Sequence, residues 1–522
     1  MNNYDVIIIG AGINGLTAAS ILGKKGKHVL VLESRDQIGG MASSIEFSPG
    51  FKCNVINDSI KWIDPRLVKL LDLEACGLEL VQPEILRIVF GNNGEHISFH
   101  KNVDKTIDSI SKHSIEDSRK WKDFISYIEK LSHFLEKIYE LTPPKLPSIG
   151  IKEILGMRSM FNPIRKYGTR GIVDLLRVAP MMMPELVDEW FENELLRSSI
   201  SIAGIHHHSF GPYAAGTGYN LLHQHVHGKG LFHNVQFTKG GTEIFPSILK
   251  SCAENFNVEI KTSTKVISIN TNQNECNGVT LENGEQIKAE QIVSSLDPNN
   301  TFMNLVGPSN LSPNFKTQLD NIRYRGSTAR IHFALNKLPE IKGITNEEMK
   351  TIFSISPSIK YLERASDSVK YGKIPDNPYL EFYIPSLLNT DFSPKGEHVL
   401  SVTVQYAPYH LRNSEWSDTV KDQLNTNVLN TLEKVIPNIR SIIKYTKIIS
   451  PLDLENEFGL TQGNLNHGEM TLDQFMFMRP TISSSQYQSP INNLYLCGAG
   501  THPGGGLHGT NGFNAAREVL KK

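Results

Sequence analysis

The 522-residue sequence has only five cysteines, Cys53, Cys76, Cys252, Cys276 and Cys497. They are odd in number, widely scattered and without C-x-x-C spacing. That argues against a disulfide scaffold and a dithiol redox centre, and predicts reduced, mostly structural thiols. No apolar run approaches the ~18 residues needed to span a bilayer. No signal peptide precedes the apolar stretch that begins by Tyr4, so a cytoplasmic location is expected, with at most peripheral membrane contact. Charge of one sign is lacking as well. A net charge of −1, with 20% charged and 39% apolar residues, gives no reason to propose nucleic acid as a partner. Internal repeats, low-complexity tracts and an H-E-x-x-H metal template are absent, and no metal site is expected. The chain is too long for one ordinary core, so two domains are expected, with the oligomeric state left open.

What is present starts at once. Val6 to Ile9 is a short, continuously apolar, β-branched run, as expected of a strand buried on both faces. Gly10, Gly12 and Gly15 follow in G-x-G-x-x-G spacing. The first allows a tight turn, the second lets backbone approach a pyrophosphate, and the third lets helix pack on strand. A helix should run to Lys24-Lys25-Gly26, its N-terminal dipole facing a diphosphate. Val29 to Leu32 is a second strand, and Glu33 lies 18 residues after Gly15, placed to accept hydrogen bonds from a ribose 2′-hydroxyl. An acid there disfavours a 2′-phosphate and hence NADP.

Further along, residues 114 to 141 carry Ile115, Trp121, Phe124, Ile128, Leu131, Leu135 and Ile138 at helical spacing. Residues 151 to 183 hold six cations and two acids beside Met157, Met160, Phe161 and Met181-Met182-Met183. Such a segment can rest on an anionic bilayer, or can be a buried helix pair with a solvated basic edge, which is the commoner arrangement. From Val258 to Ala289 the sequence alternates and predicts a β-meander leading into a returning strand at Gln291 to Pro298. Strands at Ala329 to Leu335 and Val399 to Gln405, with a helix around 418 to 435, suggest a second domain. Asn493 to Gly498 is a strand again. Between Gly498 and Gly512 seven of fifteen residues are glycine, and a helix follows. Backbone there can lie against a flat ligand, and the helix end can stabilise a reduced flavin.

The opening Gly-Ala-Gly-Ile-Asn-Gly-Leu, the Gly39-Gly40 pair, the Ser-Leu-Asp-Pro at 295–298 and the closing Leu494-Tyr-Leu-Cys-Gly-Ala-Gly-Thr-His-Pro-Gly-Gly-Gly506 resemble the phytoene desaturase family of FAD flavoproteins. Within it, the similarity is strongest to the branch holding the pyridine nucleotide-disulfide oxidoreductase domain-containing proteins and the desaturase-like β-carotene ketolases. Pro212 to His223, Gly459 to Asn464 and His467 to Pro480 support that branch. The resemblance implies an α/β, two-domain FAD-binding Rossmann-type fold of the monoamine oxidase and phytoene desaturase kind, with an interleaved substrate domain. Residues 1–60, 235–300 and 485–522 would bind FAD, and 61–234 and 301–484 would hold substrate. Gly10, Gly12, Asn14 and Gly15 would contact the diphosphate, with Glu33 and Ser34 on the adenosine ribose. Gly39, Gly40 and Met41 would line the flavin channel, and Val266 would meet adenine. Gly498, Ala499, Gly500, His508, Gly509, Thr510 and Gly512 would hold the ribityl chain and isoalloxazine. Met41 departs from the many relatives that carry Arg after the glycine pair, so a charge contact to the cofactor is in doubt.

No second G-x-G-x-x-G module and no redox cysteine pair are evident, so hydride from substrate would reach flavin N5 and pass to dioxygen, a quinone or another acceptor. An apolar, polyene or lipid-like substrate is expected. Amine oxidation on the same fold, or a flavin-free escort protein, are the alternatives. Seven of eighteen histidines fall between 206 and 233. His223, inside a family-like segment, and His508, near the flavin, are the acid/base candidates.

Overall fold

The protein is described here from a computed structural model covering residues 4–144 and 161–521, with the side chains of residues 161–163 set aside. Residues 151–160 of the basic, Met-rich segment therefore lie outside the described residues.

Two seven-stranded sheets organise the described residues. In the first, strand β1 (Tyr4–Ile9) lies between β2 (Val29–Leu32) and Gln286–Ser294, all parallel. Val6, Ile7, Ile8 and the whole of β2 are buried, and each fully buried Val or Ile contributes about 1.5–3 kcal/mol. Helix α1 (Ile13–Lys24) packs on this sheet and also against Thr510–Val519. The order from one edge is Glu259–Lys261, β2, β1, Gln286–Ser294, Leu494–Leu496, every pair parallel. This corrects the expected meander. Val258 to Ile260 does not join it, because Glu259–Lys261 pairs in parallel with β2 and extends the nucleotide-binding sheet. The expected break at Glu290 is also absent, and the strand stops at Ser294 and not at Pro298: Gln286–Ser294 is one strand, antiparallel to Glu275–Leu281 near its start and parallel to Leu494–Leu496 at its end.

The second sheet runs Ile443–Ile449, Thr328–Leu335, His398–Gln405, Tyr379–Tyr383, Ile352–Ile355, Ile85–Phe90, His96–His100. One face packs Ile331, Phe333, Leu400, Val402 and Val404 with Leu424, Val428 and Leu432 of the helix Asp418–Leu432. The other face meets a helical layer. Its longest member, Ile115–Tyr139, starts at the Ser114 N-cap and buries Trp121, Phe124, Ile128, Leu131, Leu135 and Ile138. Ile115 is a correction to the expected stripe. It is 64% exposed, because the first turn overhangs the layer beneath it. Phe161–Val178 bends at Gly168, whose φ is +72°. No helix among the described residues is long and apolar enough to cross a membrane.

Candidate active site

The glycine turn is seated from behind. Ser295 Oγ donates to the carbonyls of Ile9 (2.9 Å) and Gly10 (3.1 Å). A Cβ on Gly10, at φ +93°, would fall 2.4 Å from that oxygen, and one on Gly15 would fall 2.1 Å from Gly10 O. Gly12, the N-cap of α1, differs: a Cβ there would meet nothing within 4 Å. It faces a cleft of about 660 Å³. Glu33 closes the turn, its carboxylate accepting from Ala11 N (2.8 Å), Arg35 N (3.0 Å) and Ser34 Oγ (3.3 Å).

Of the residues expected from the sequence, Gly10, Gly12, Asn14, Glu33 and Ser34 line this cleft at its centre. Val266, Gly39, Gly40, Met41 and Ala499 line it as well. Gly15, Gly498, Gly500, Gly509, Thr510 and Gly512 stand behind the lining, where they set backbone packing. A Cβ on Gly498, for example, would sit 2.4 Å from Ser295 O. The cleft joins the turn after the central strand β1 to a loop nearly five hundred residues later. An open space at the N-terminal end of α1, a buried acid and a glycine-lined channel fit an extended dinucleotide.

A second cavity of about 90 Å³ shares Met41, Gly506 and Leu507 with the first. His223 and His508 both line it. His223 Nε2 donates to Gly505 O (3.0 Å), and Nδ1 accepts from Tyr139 Oη (2.7 Å), which bonds in turn to Tyr219 Oη (3.1 Å). His508 Nε2 donates to the same Gly505 carbonyl (3.3 Å), and Nδ1 accepts from Thr510 N (3.1 Å). Its ring stacks on Trp62, with centroids 4.4 Å apart. Burial pulls the two rings down to about 4 and about 3, so both are neutral near pH 7.

The floor of this cavity is a polar row that the sequence reading missed. Arg330 pairs across with Thr403, Thr403 with Glu381, and Glu381 with Ser354, in register over four strands. Arg87 reaches in from the next strand to Glu381 (2.5 Å) and Ser354 (2.6 Å), and Arg330 pairs with Asp58 (2.5 Å). The signal was the apolar–polar alternation of 328–335, 379–383 and 399–405, whose polar members share one face. His206, His207 and His208 line the wall, because His207 adopts φ +60° where the helix Glu194–Ile205 ends.

Two buried ions brace the loops. Asp297 accepts from Thr461 Oγ1 (2.9 Å), Thr461 N (3.2 Å) and Asn300 N (2.9 Å), tying the Ser-Leu-Asp-Pro segment to Gly459–Asn464. Arg479 donates to the carbonyls of Asn466, Gly468, Glu469, Gln474 and Ala499. No carboxylate among the described residues pairs with it, and burial draws its guanidinium down to about 10. A positive charge thus stands behind Ala499, while Met41 packs against the cluster around Leu460 and Leu465. The structure also brings Cys76 Sγ within 3.7 Å of Cys252 Sγ, a thiol pair 176 positions apart that spacing in the sequence could not reveal.

The sequence model of the flavin containing amine oxidoreductases matches residues 13–520. The chain belongs to that family. Pyridine nucleotide-disulfide oxidoreductase domain-containing protein 2 of Rattus norvegicus is 28% identical, over 99% of this chain and 93% of its own. The lycopene-forming phytoene desaturase of a Paracoccus strain is 23% identical, over 97% and 95%. An oxidoreductase crystal structure from Methanosarcina mazei superposes with a TM-score of 0.61 at 13% identity, covering 99% of this chain and 100% of its own. This flavin amine oxidoreductase family member is an FAD-dependent oxidoreductase, and its fold is the expected FAD-binding α/β architecture.

Proposed function

We propose that the protein oxidises or dehydrogenates an apolar small molecule, polyene- or lipid-like, at a flavin held in the 660 Å³ cleft. The observation that carries this is the shared wall: Met41, Gly506 and Leu507 belong both to the cofactor cleft and to the second cavity. A substrate end in that cavity would lie against the cofactor. Bound FAD supplies the redox chemistry by accepting hydride at N5. The chain's own part is to bind, orient and exclude water. Gly10, Gly12, Asn14 and Glu33 hold the diphosphate and ribose, with Val266 toward the adenine. The stacked Trp62–His508 pair and the Gly505 carbonyl shape the substrate side. His223 and His508, with both ring nitrogens bonded, position the Gly505 turn in this reading. Residues 1–60, 235–300 and 485–522 would then form the cofactor domain, and 61–234 with 301–484 the substrate domain.

The relationship to a phytoene desaturase supports the polyene class, and Ile56, Ile352, Phe382 and Leu465 add apolar lining. Beyond the bend at Gly168, Val173 and Leu176 are exposed on a helical segment that also carries Arg170 and Arg177, with Arg165 and Lys166 before the bend. Such a helix suits the surface of an anionic bilayer, where a lipid-like substrate would be met. The purified protein should be yellow and release FAD on denaturation. Anaerobic flavin reduction by carotenoids or fatty acyl compounds, and not by amines, is the expected outcome. Reduction by amines alone would replace the reading with amine oxidation, and a colourless protein that takes up no FAD would refute both.

A further inference from the structure

The polar floor poses a charge problem that an apolar substrate leaves unsolved. Arg87 is matched by Glu381 and Arg330 by Asp58, both pairs at 2.5 Å, so their charges cancel. Lys61 is left over. It lines the same cavity, and its Nζ has no hydrogen bond or ion pair among the described residues. The groups around it are Arg87 and Glu381 of the sheet, His206 and His207 at the helix end, and His225 and His233 of the segment beyond. All four histidines are held neutral near pH 7 by burial. The cavity therefore carries one uncompensated positive charge.

An unpaired cation on the wall of a cavity is costly when the cavity is dry, and a site keeps one where a ligand completes it. His207 and Arg330 share this wall, but His207 Nδ1 and Arg330 Nε are shut off from the cavity, which leaves Lys61 as its unmatched charge. At about 90 Å³ the space takes an end group rather than a whole polyene. A protonated amine would add a second positive charge, and a phosphate dianion would overshoot the single one available.

Building on the reading of this cavity as the substrate side of the flavin, we propose that it seats a carboxylate at the end of the substrate, with Lys61 as counter-ion. The substrate class is thereby an unsaturated carboxylic acid. Burial, followed by Arg87, lowers Lys61 to about 8 against the opposing pull of Glu381. A bound carboxylate favours the ammonium form, so affinity is full below that value and is lost as pH rises through it.

Calorimetry with sorbate and sorbyl alcohol, a carboxylate and an alcohol on one short diene, tests this on FAD-loaded protein. Sorbate should bind at least about tenfold more tightly at pH 7, and the preference should shrink between pH 7 and 9.5. Lys61→Met should erase both the preference and its pH dependence while flavin content stays unchanged, and Lys61→Arg should restore part of the preference. Equal affinity for the two probes, or an undiminished preference in Lys61→Met, would overturn the proposal. A protein that takes up no FAD would fail the oxidoreductase reading by its absorbance alone. The two probes would still discriminate in the cofactor-free cavity.

Discussion

Asn14 Oδ1 accepts a hydrogen bond from Gly512 N at 3.4 Å, bridging 498 positions of sequence. A Cβ on Gly512 would fall 2.1 Å from Asn14 O, so only glycine permits the approach. Each residue lies in the first turn of a helix, Ile13–Lys24 and Thr510–Val519, so two positive helix ends converge beside the cleft. An anionic cofactor is favoured where both point.

Gly12 and Gly512 should consequently fail differently. Gly12→Val fills open space in the cleft, so FAD affinity should fall at least about tenfold while the cofactor-free melting temperature holds. Gly512→Ala strikes backbone and should cost about 1–3 kcal/mol with or without FAD. Flavin absorbance and thermal melts separate the two, and normal flavin content in Gly12→Val would refute the site.

The buried histidines make the fold acid-sensitive. His207, His223, His225 and His502 are drawn to about 4, and His208 and His508 to about 3, in each case chiefly by burial. Unfolded histidine titrates near 6.5, so below that pH the unfolded chain binds protons that the folded chain refuses. Their contribution is intact above pH ~6.5 and is lost as pH falls toward ~4, by about 2 kcal/mol per ring at pH 5. A few rings suffice to exhaust a typical folding stability. Circular dichroism against pH should show cooperative unfolding in that window with uptake of several protons.

How much was legible follows locality. The β1–α1–β2 unit with Glu33 was readable because every part neighbours the next, and Ile115–Tyr139 because twenty-five residues hold one period. Glu259–Lys261 was misassigned because three residues carry too short a pattern to tell a parallel partner from a meander strand. The polar row Arg330–Thr403–Glu381–Ser354 exists only once four strands are in register. Lys61 and Asp58 lie in irregular chain with no periodicity at all, and Arg479 is one cation in a segment recognised only as a whole.

Arg479→Met should be among the most damaging single changes. It strands the buried carbonyls of Asn466, Gly468, Gln474 and Ala499, each costing about 1–3 kcal/mol when unsatisfied, while Glu469 O keeps Gln474 Nε2 (3.0 Å). Arg479→Lys keeps the charge but not the fork, and should fold with lower stability and weaker FAD retention. Urea titration with flavin fluorescence would measure both.

For His223 the discriminating variant is His223→Ala. If the ring positions Gly505, FAD affinity drops while the flavin reduction rate at saturating FAD falls less than about tenfold. General acid–base work would instead cost about 10²–10⁴-fold in that rate. Tyr139→Phe, which removes the donor to Nδ1 together with the bond to Tyr219 Oη, should show a milder form of the same split.

The interleaving has a consequence for how the protein is made. Ser295 and the strand before it seat the Gly10 turn, and Leu494–Leu496 docks on that same strand before the Gly498–Gly512 loop closes the cleft. A nascent chain can build the front of the cleft early, yet Ala499, Gly506 and Leu507 of its lining emerge roughly two hundred residues after Ser295. Closure of the cleft therefore waits on distant chain, and a chain that stopped short of Ala499 would lack that part of its lining.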